Sequence, residues 1–218
     1  MARAVRRSFL VVVPLVLAVA LLFHPAGGEN VYAGVRDDVD AWLAVHTVFL
    51  FAVPLLGIAA YVLLAGLDSV AATVSRIALV FFLVFYTAYE VTVGVDTAIL
   101  VDYANGRSAE EQAVLGRAIQ DLNRDSLVSD PSVALVLGTL GWVVAMLAAA
   151  VALRRDGIGW PAAVLVGLAA LFAIHPPPLG PIGLVCFAAG ALLVERARAR
   201  ERTGAVAEGA TPVLAGRE

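Results

Sequence analysis

Six apolar stretches separated by short polar interruptions leave this chain few ways to fold. A bilayer core about 30 Å thick is crossed by roughly 20 mostly apolar helical residues, and it holds no water to satisfy exposed backbone groups. The stretches lie near residues 8–24, 41–67, 70–104, 131–153, 160–175 and 181–195. Hydrophobic residues make up 61% of the 218, and the mean hydropathy is +0.90. Soluble domains are about 45–50% apolar, so water is not the main solvent here. The expectation is an all-α polytopic transmembrane helical bundle of six spans, one domain over 1–202, multi-pass in the cell membrane. Its first partner is the lipid bilayer, and nothing supports nucleic-acid binding.

Local signals set the ends of the spans. Asp40 is placed to cap the second, and Asp68 or Ser69 the third, which meets the stop signal Asn105-Gly106. Asp130-Pro131 reads as cap plus first-turn proline for the fourth, and Trp160-Pro161 opens the fifth. The link from His175-Pro176 to the sixth is so short that these two spans must be antiparallel neighbours. Cytoplasmic flanks carry the excess of positive charge. All basic residues are arginine; Arg3, Arg6, Arg7, Arg76, Arg154, Arg155, Arg196, Arg198, Arg200 and Arg202 fall on one side. Arg36, Arg107, Arg117 and Arg124 fall on the other, diluted by acids such as Glu29, Asp37, Asp102, Asp125 and Asp130. Both termini are therefore expected in the cytoplasm. A rival reading makes the first stretch a signal peptide with a weak cleavage site at Val31-Tyr32-Ala33, which would leave the remaining topology unchanged.

Between the third and fourth spans, Ser108-Ala109-Glu110-Glu111 fits a capping box. Val114, Leu115, Ala118, Ile119 and Leu122 then recur at helical spacing, which predicts an amphipathic helix covering the outer ends of the spans. The tail at 203–218 has no periodicity and is expected to be a disordered cytoplasmic segment. Gly141, Ala145 and Ala149 form a stripe of small residues that lets another helix approach closely. Cys186 has no second cysteine to pair with.

An ionisable group inside a span costs about 2.5–3.5 kcal/mol on insertion scales, so it needs a reason to be there. Glu90 is the clearest case, about 21 Å along the helix from Arg76. Tyr86, Glu90 and Thr97 line one α-helical stripe, and Tyr89 and Asp96 the stripe beside it. These five are candidates for a ligand or proton pathway. The three histidines fall in the outer half: His24 about 25 Å from Arg7, His175 about 22 Å from Trp160, and His46 about 33 Å from Asp68. Imidazole is a common metal and haem ligand, which makes His24, His46 and His175 candidates to bind a metal ion or haem. No two lie at i,i+4, and each has a plain structural alternative as a helix-end or interfacial residue.

No residue is assigned as catalytic. The chain has no His-Glu-x-x-His helix, Gly-x-Ser-x-Gly elbow, Walker loop or Cys-x-x-Cys-His. His24-Pro25, Tyr86-x-x-Tyr89-Glu90, Tyr103-Ala104-Asn105-Gly106 and His175-Pro176-Pro177-Pro178 together resemble uncharacterised polytopic integral membrane proteins of high-GC bacteria. The resemblance covers most of residues 1–200 and implies a helical membrane fold with no known activity. Three functions stay open at this point. The first is binding or transport of a small molecule or ion through an outward-facing polar cavity. The second is a non-catalytic assembly or scaffold subunit with membrane-protein partners or a second copy, and the third a haem- or metal-binding redox subunit.

Overall fold

The computed structural model describes residues 3–25, 28, 30–124 and 132–209. Among these every regular element is helical: α1 Arg3–Leu22, α2 Val31–Val35, α3 Val39–Leu63, α4 Val70–Asn105, α5 Ala109–Arg124, α6 Val133–Arg155, α7 Trp160–Ala173 and α8 Leu179–Gly209. Five of them, α1, α3, α4, α6 and most of α8, are long and apolar enough to cross a bilayer. The fifth expected span, α7, is a shorter apolar helix.

Its ends nevertheless lie at opposite ends of the bundle. At one end Arg6 pairs with Glu195 at 2.9 Å, Arg198 donates to Leu63 O, Arg76 donates to Leu64 O and Leu67 O, and Arg154 donates to Ile158 O. Arg198 thereby satisfies the last carbonyl of α3, one of those a helix terminus leaves without a partner. At the other end His24 at the close of α1, His46 near the start of α3 and His175 just after α7 come together. A 3-10 stretch, Ala169–Ala173, rises about 2.0 Å per residue instead of 1.5, so the short helix reaches about 24 Å. Glycines of α8 let it pack closely against α7: a Cβ on Gly183 would stand 2.5 Å from Phe172 N, and one on Gly190 2.9 Å from Val166 Cγ2.

The apolar residues divide between an interior and a bare outer surface. On α1, Leu10, Leu17 and Leu21 are fully buried against α3 and α8, whereas Val12, Val16, Val19 and Leu22 are exposed. The same division runs along α3, α4, α6 and α7, with Phe51, Ile77, Val80, Leu147 and Val164 facing outward. So much exposed apolar surface suits a hydrocarbon solvent. The small-residue stripe makes the expected close approach: a Cβ on Gly141 would stand 2.7 Å from Phe82 N, and Ser75 Oγ donates to Ala145 O at 2.8 Å.

Several boundaries differ from expectation. Helix α3 begins at Val39 rather than after an Asp40 cap and ends at Leu63, because the chain turns at Gly66 with φ +85. The expected Asp130-Pro131 cap lies outside the described residues, and Ser132 caps α6 by accepting from Leu135 N at 3.3 Å. Helix α8 does not stop near residue 195. It continues through the expected disordered segment as far as Gly209, since Ala, Arg and Glu are good helix formers and Glu195 holds both Arg6 and Arg198. Residues 210–218 lie outside the described residues.

The outer helix is α5. Ile119 is buried in a second apolar cluster with Tyr32, Val35, Trp42, Ala98 and Val101, so α5 lies over the ends of α3 and α4. Val114, expected on its inner face, is exposed. The capping box forms: Glu111 Oε2 accepts from Ser108 N at 3.0 Å, and Ser108 Oγ accepts from Glu111 N at 3.4 Å. The Ser108 hydroxyl and then the Ser108 amide hold the Glu111 carboxyl below its usual 4.5. A folded value below the unfolded one means that the box stabilises α5 above about pH 4.5 and stops doing so as pH falls through the folded value. Hydrogen-exchange protection in the first turn of α5 is expected to fall on acidification below pH 4.5. E111Q, which caps without titrating, is expected to show no such step.

Candidate functional site

Helix α4 is not a uniform α-helix. Phe82–Tyr86 and Glu90–Asp96 are π-helical, with the short α segment Thr87–Tyr89 between them. A π turn bonds i to i+5, which widens the helix and changes the direction in which each following side chain points; such turns are frequent at functional sites. Here the two π segments bracket Tyr86, Tyr89 and Glu90.

All three histidines and Glu90 converge. The His24 ring lies 5.0 Å from that of His46 and 5.3 Å from that of His175, edge to face in both cases. His46 Nε2 stands 3.7 Å from Glu90 Oε2, with both side chains 3% exposed. The Tyr86 hydroxyl lies 3.1 Å from His175 Nδ1 and beside Glu90. Trp42 stacks on His46 at 4.5 Å and donates its indole N–H to Gly94 O at 3.0 Å. That contact requires glycine, because a Cβ on Gly94 would fall 2.1 Å from His46 Cδ2.

These groups line a cavity of about 410 Å³ whose walls also include Gly28, Val31, Tyr89, Val93, Gln120, Asn123, Arg124 and Pro176. Arg124 stands at its rim, 3.4 Å from Asp121. Phe49, whose ring lies within 6.2 Å of all three imidazoles, and Tyr86 pack behind the histidines, on the side away from the cavity lining. Beneath these, Phe82, Trp142, Phe172 and Phe187 form a fully buried aromatic plug.

Two of the expected pathway residues stand apart from this cavity. Asp96 is exposed and does not line it. Thr97 is fully buried, but its Oγ1 accepts from Asn123 Nδ2 at 2.8 Å and so anchors α5 to α4. The stripes that joined Glu90 to Thr97 and Tyr89 to Asp96 assume α-helical spacing, and the π segment Glu90–Asp96 breaks it.

The hydrogen bonds fix which atoms face the cavity. His24 Nδ1 lies 2.7 Å from Pro25 O and His46 Nδ1 lies 2.8 Å from Trp42 O. A carbonyl only accepts, so both Nδ1 atoms carry hydrogen and each neutral ring turns a lone pair outward at Nε2. Asn123 Nδ2 donates to Thr97 and to Ile119 O, which leaves its Oδ1 as an acceptor. His24 Nε2, Glu90 Oε1 and Asn123 Oδ1 are all buried and have no hydrogen-bond partner among the described residues. His46 Nε2 faces the Glu90 carboxyl at 3.7 Å, beyond hydrogen-bond distance.

A metal ion and haem are the candidate ligands of these three histidines. Among the described residues no three His, Cys, Asp or Glu side chains are disposed to hold a metal ion. The imidazoles pack against one another edge to face, and the direct ring contacts leave no slot in which a porphyrin plane could separate two axial ligands. The histidines therefore meet, as their depths suggested, but in an aromatic and acceptor-rich wall.

Sequence reasoning missed Trp42, which stacks on His46 and donates to Gly94 O. It also missed Asn123 and Gln120, which α5 brings over the cavity from a loop distant in the chain. The run of β-branched residues and glycine at 91–97 was the available signal for an irregular helix. No family model matches the chain, and no curated protein or solved structure is similar to it.

Proposed function

We propose that this chain is a six-span membrane protein, with its arginine-rich end in the cytoplasm, that binds a small amine-type cation in the outward-facing cavity around Glu90. The observation that carries this reading is the set of buried acceptors without partners among the described residues, His24 Nε2, Glu90 Oε1 and Asn123 Oδ1, on one cavity. Leaving such atoms unsatisfied costs about 1–3 kcal/mol each, and an ammonium group brings both the hydrogen-bond donors and the positive charge they lack. Trp42 and Tyr89 supply aromatic faces, which attract a cation further. The aromatic plug beneath the cavity favours binding from the outer side over an open path through the bundle. Arginine placement at the opposite end supports the orientation.

Binding of radiolabelled methylammonium to the detergent-purified full chain tests this. Saturable binding is expected, weakened about tenfold to a hundredfold in E90Q, as for loss of a charged hydrogen-bond partner. Absence of saturable binding to the wild type, or equal binding by E90Q, would sink the proposal.

A further inference from the structure

A second cavity, of about 420 Å³, opens on the side of the bundle at the arginine end, between α6 and α7. Its floor is built of small residues, Ala150, Ala163 and Gly167, and its flanks of the exposed Val151 and Val164. Arg154, Arg155 and Trp160 close its end. The groove is thus apolar where it faces the bilayer core and cationic where it reaches the interface.

The two arginines differ in what they already do. The Arg154 guanidinium lies over the Trp160 ring, 4.5 Å from its centroid, and donates to Ile158 O, so it is held in place at the mouth. Arg155 is exposed and makes no hydrogen bond or ion pair among the described residues. Other arginines of this end are committed elsewhere: Arg6 and Arg198 to Glu195, and Arg76 to the carbonyls of Leu64 and Leu67. One fixed and one unengaged guanidinium, side by side above an acyl-sized groove, match a phosphodiester carried on a hydrocarbon chain. Trp160, 66% exposed, has the amphipathic ring that suits the headgroup level.

We infer that this groove binds an anionic phospholipid, with the phosphate between Arg154 and Arg155 and one acyl chain lying on Ala150, Ala163 and Gly167. Basic pockets between membrane helices on the cytoplasmic side are the usual seat of such headgroups. The inference rests on the membrane reading of the fold and is independent of the histidine cavity at the other end.

Native mass spectrometry of the full chain released from micelles tests it, with phosphatidylglycerol and phosphatidylcholine of identical chains, and with glycerol phosphate as the headgroup alone. Phosphatidylglycerol is expected to be retained in preference to phosphatidylcholine, and glycerol phosphate not to be retained. R155Q is expected to lower phosphatidylglycerol occupancy about fivefold without changing phosphatidylcholine. G167L keeps both arginines but fills the groove, and is expected to lose the retained lipid. A Cβ at Gly167 would meet only Ala150 Cβ, at an ordinary 3.5 Å, so the longer side chain projects into the groove itself. Equal retention of the two lipids by the wild type, full retention by R155Q, or binding of glycerol phosphate as tight as that of the lipid would each overturn the inference. R155Q decides the matter even where G167L does not fold.

Discussion

Replacing Glu90 with methionine is expected to stabilise the fold by about 2 kcal/mol and to abolish cation binding. Glu90 is 3% exposed, and its Oε1 has no partner. Methionine has a similar length and removes the unsatisfied oxygen, while the 3.7 Å approach of His46 Nε2 that it gives up is too long for a hydrogen bond. The sign of the effect separates two roles. A carboxyl kept for binding carries a stability cost that the substitution relieves, the familiar trade between stability and function. A carboxyl kept to hold helices together, through Tyr86 and His46, gives destabilisation of similar size on the same change. Unfolding midpoints in mixed SDS micelles for wild type, E90Q and E90M measure this directly. A lower midpoint for E90M would assign Glu90 to the structure and leave the cavity without its central group.

Gly138→Val should cost about 3 kcal/mol. Helices α4 and α6 meet so closely here that a Cβ on Gly138 would stand 2.6 Å from Tyr86 N and 2.8 Å from Tyr86 Cα. These are backbone atoms in a π-helical segment, and no side-chain rotation relieves the clash. The helices must separate, which loosens Tyr86, its contact with His175 and the packing around Trp142. Gly167→Ala provides the control: its added methyl meets only Ala150 Cβ at 3.5 Å, so its effect should stay within about 0.5 kcal/mol. The same SDS titration compares them. Equal midpoints for G138V and G167A would show that the α4–α6 approach does not limit stability.

Much of the architecture is legible in the chain before any coordinates. Apolar runs near 20 residues announce membrane helices, the arginines separate the two ends, and Ser108 with Glu111 announces the start of α5. The depths of His24, His46 and His175 follow from counting residues at a fixed rise, and their common level proves to be a common place. Counting fails where the helix is not α. Asp96 and Thr97 were placed beside Tyr89 and Glu90 by α-helical spacing, and the π segment Glu90–Asp96 turns them elsewhere.

The seat of function divides along the same line. Hydrophobicity, rise per residue and the charge of the flanks are properties of each segment alone, so the sequence by itself determined the helical membrane class, the two unlike ends and the common level of the three histidines. The rotation of each helix about its own axis depends on what packs against it. Only the tertiary structure decided that Gly94 admits His46 and Trp42, that α5 brings Asn123 over Glu90, and that three buried acceptors face one space. Burial makes the difference: an acceptor is costly only where water is excluded, and that exclusion belongs to the assembled bundle.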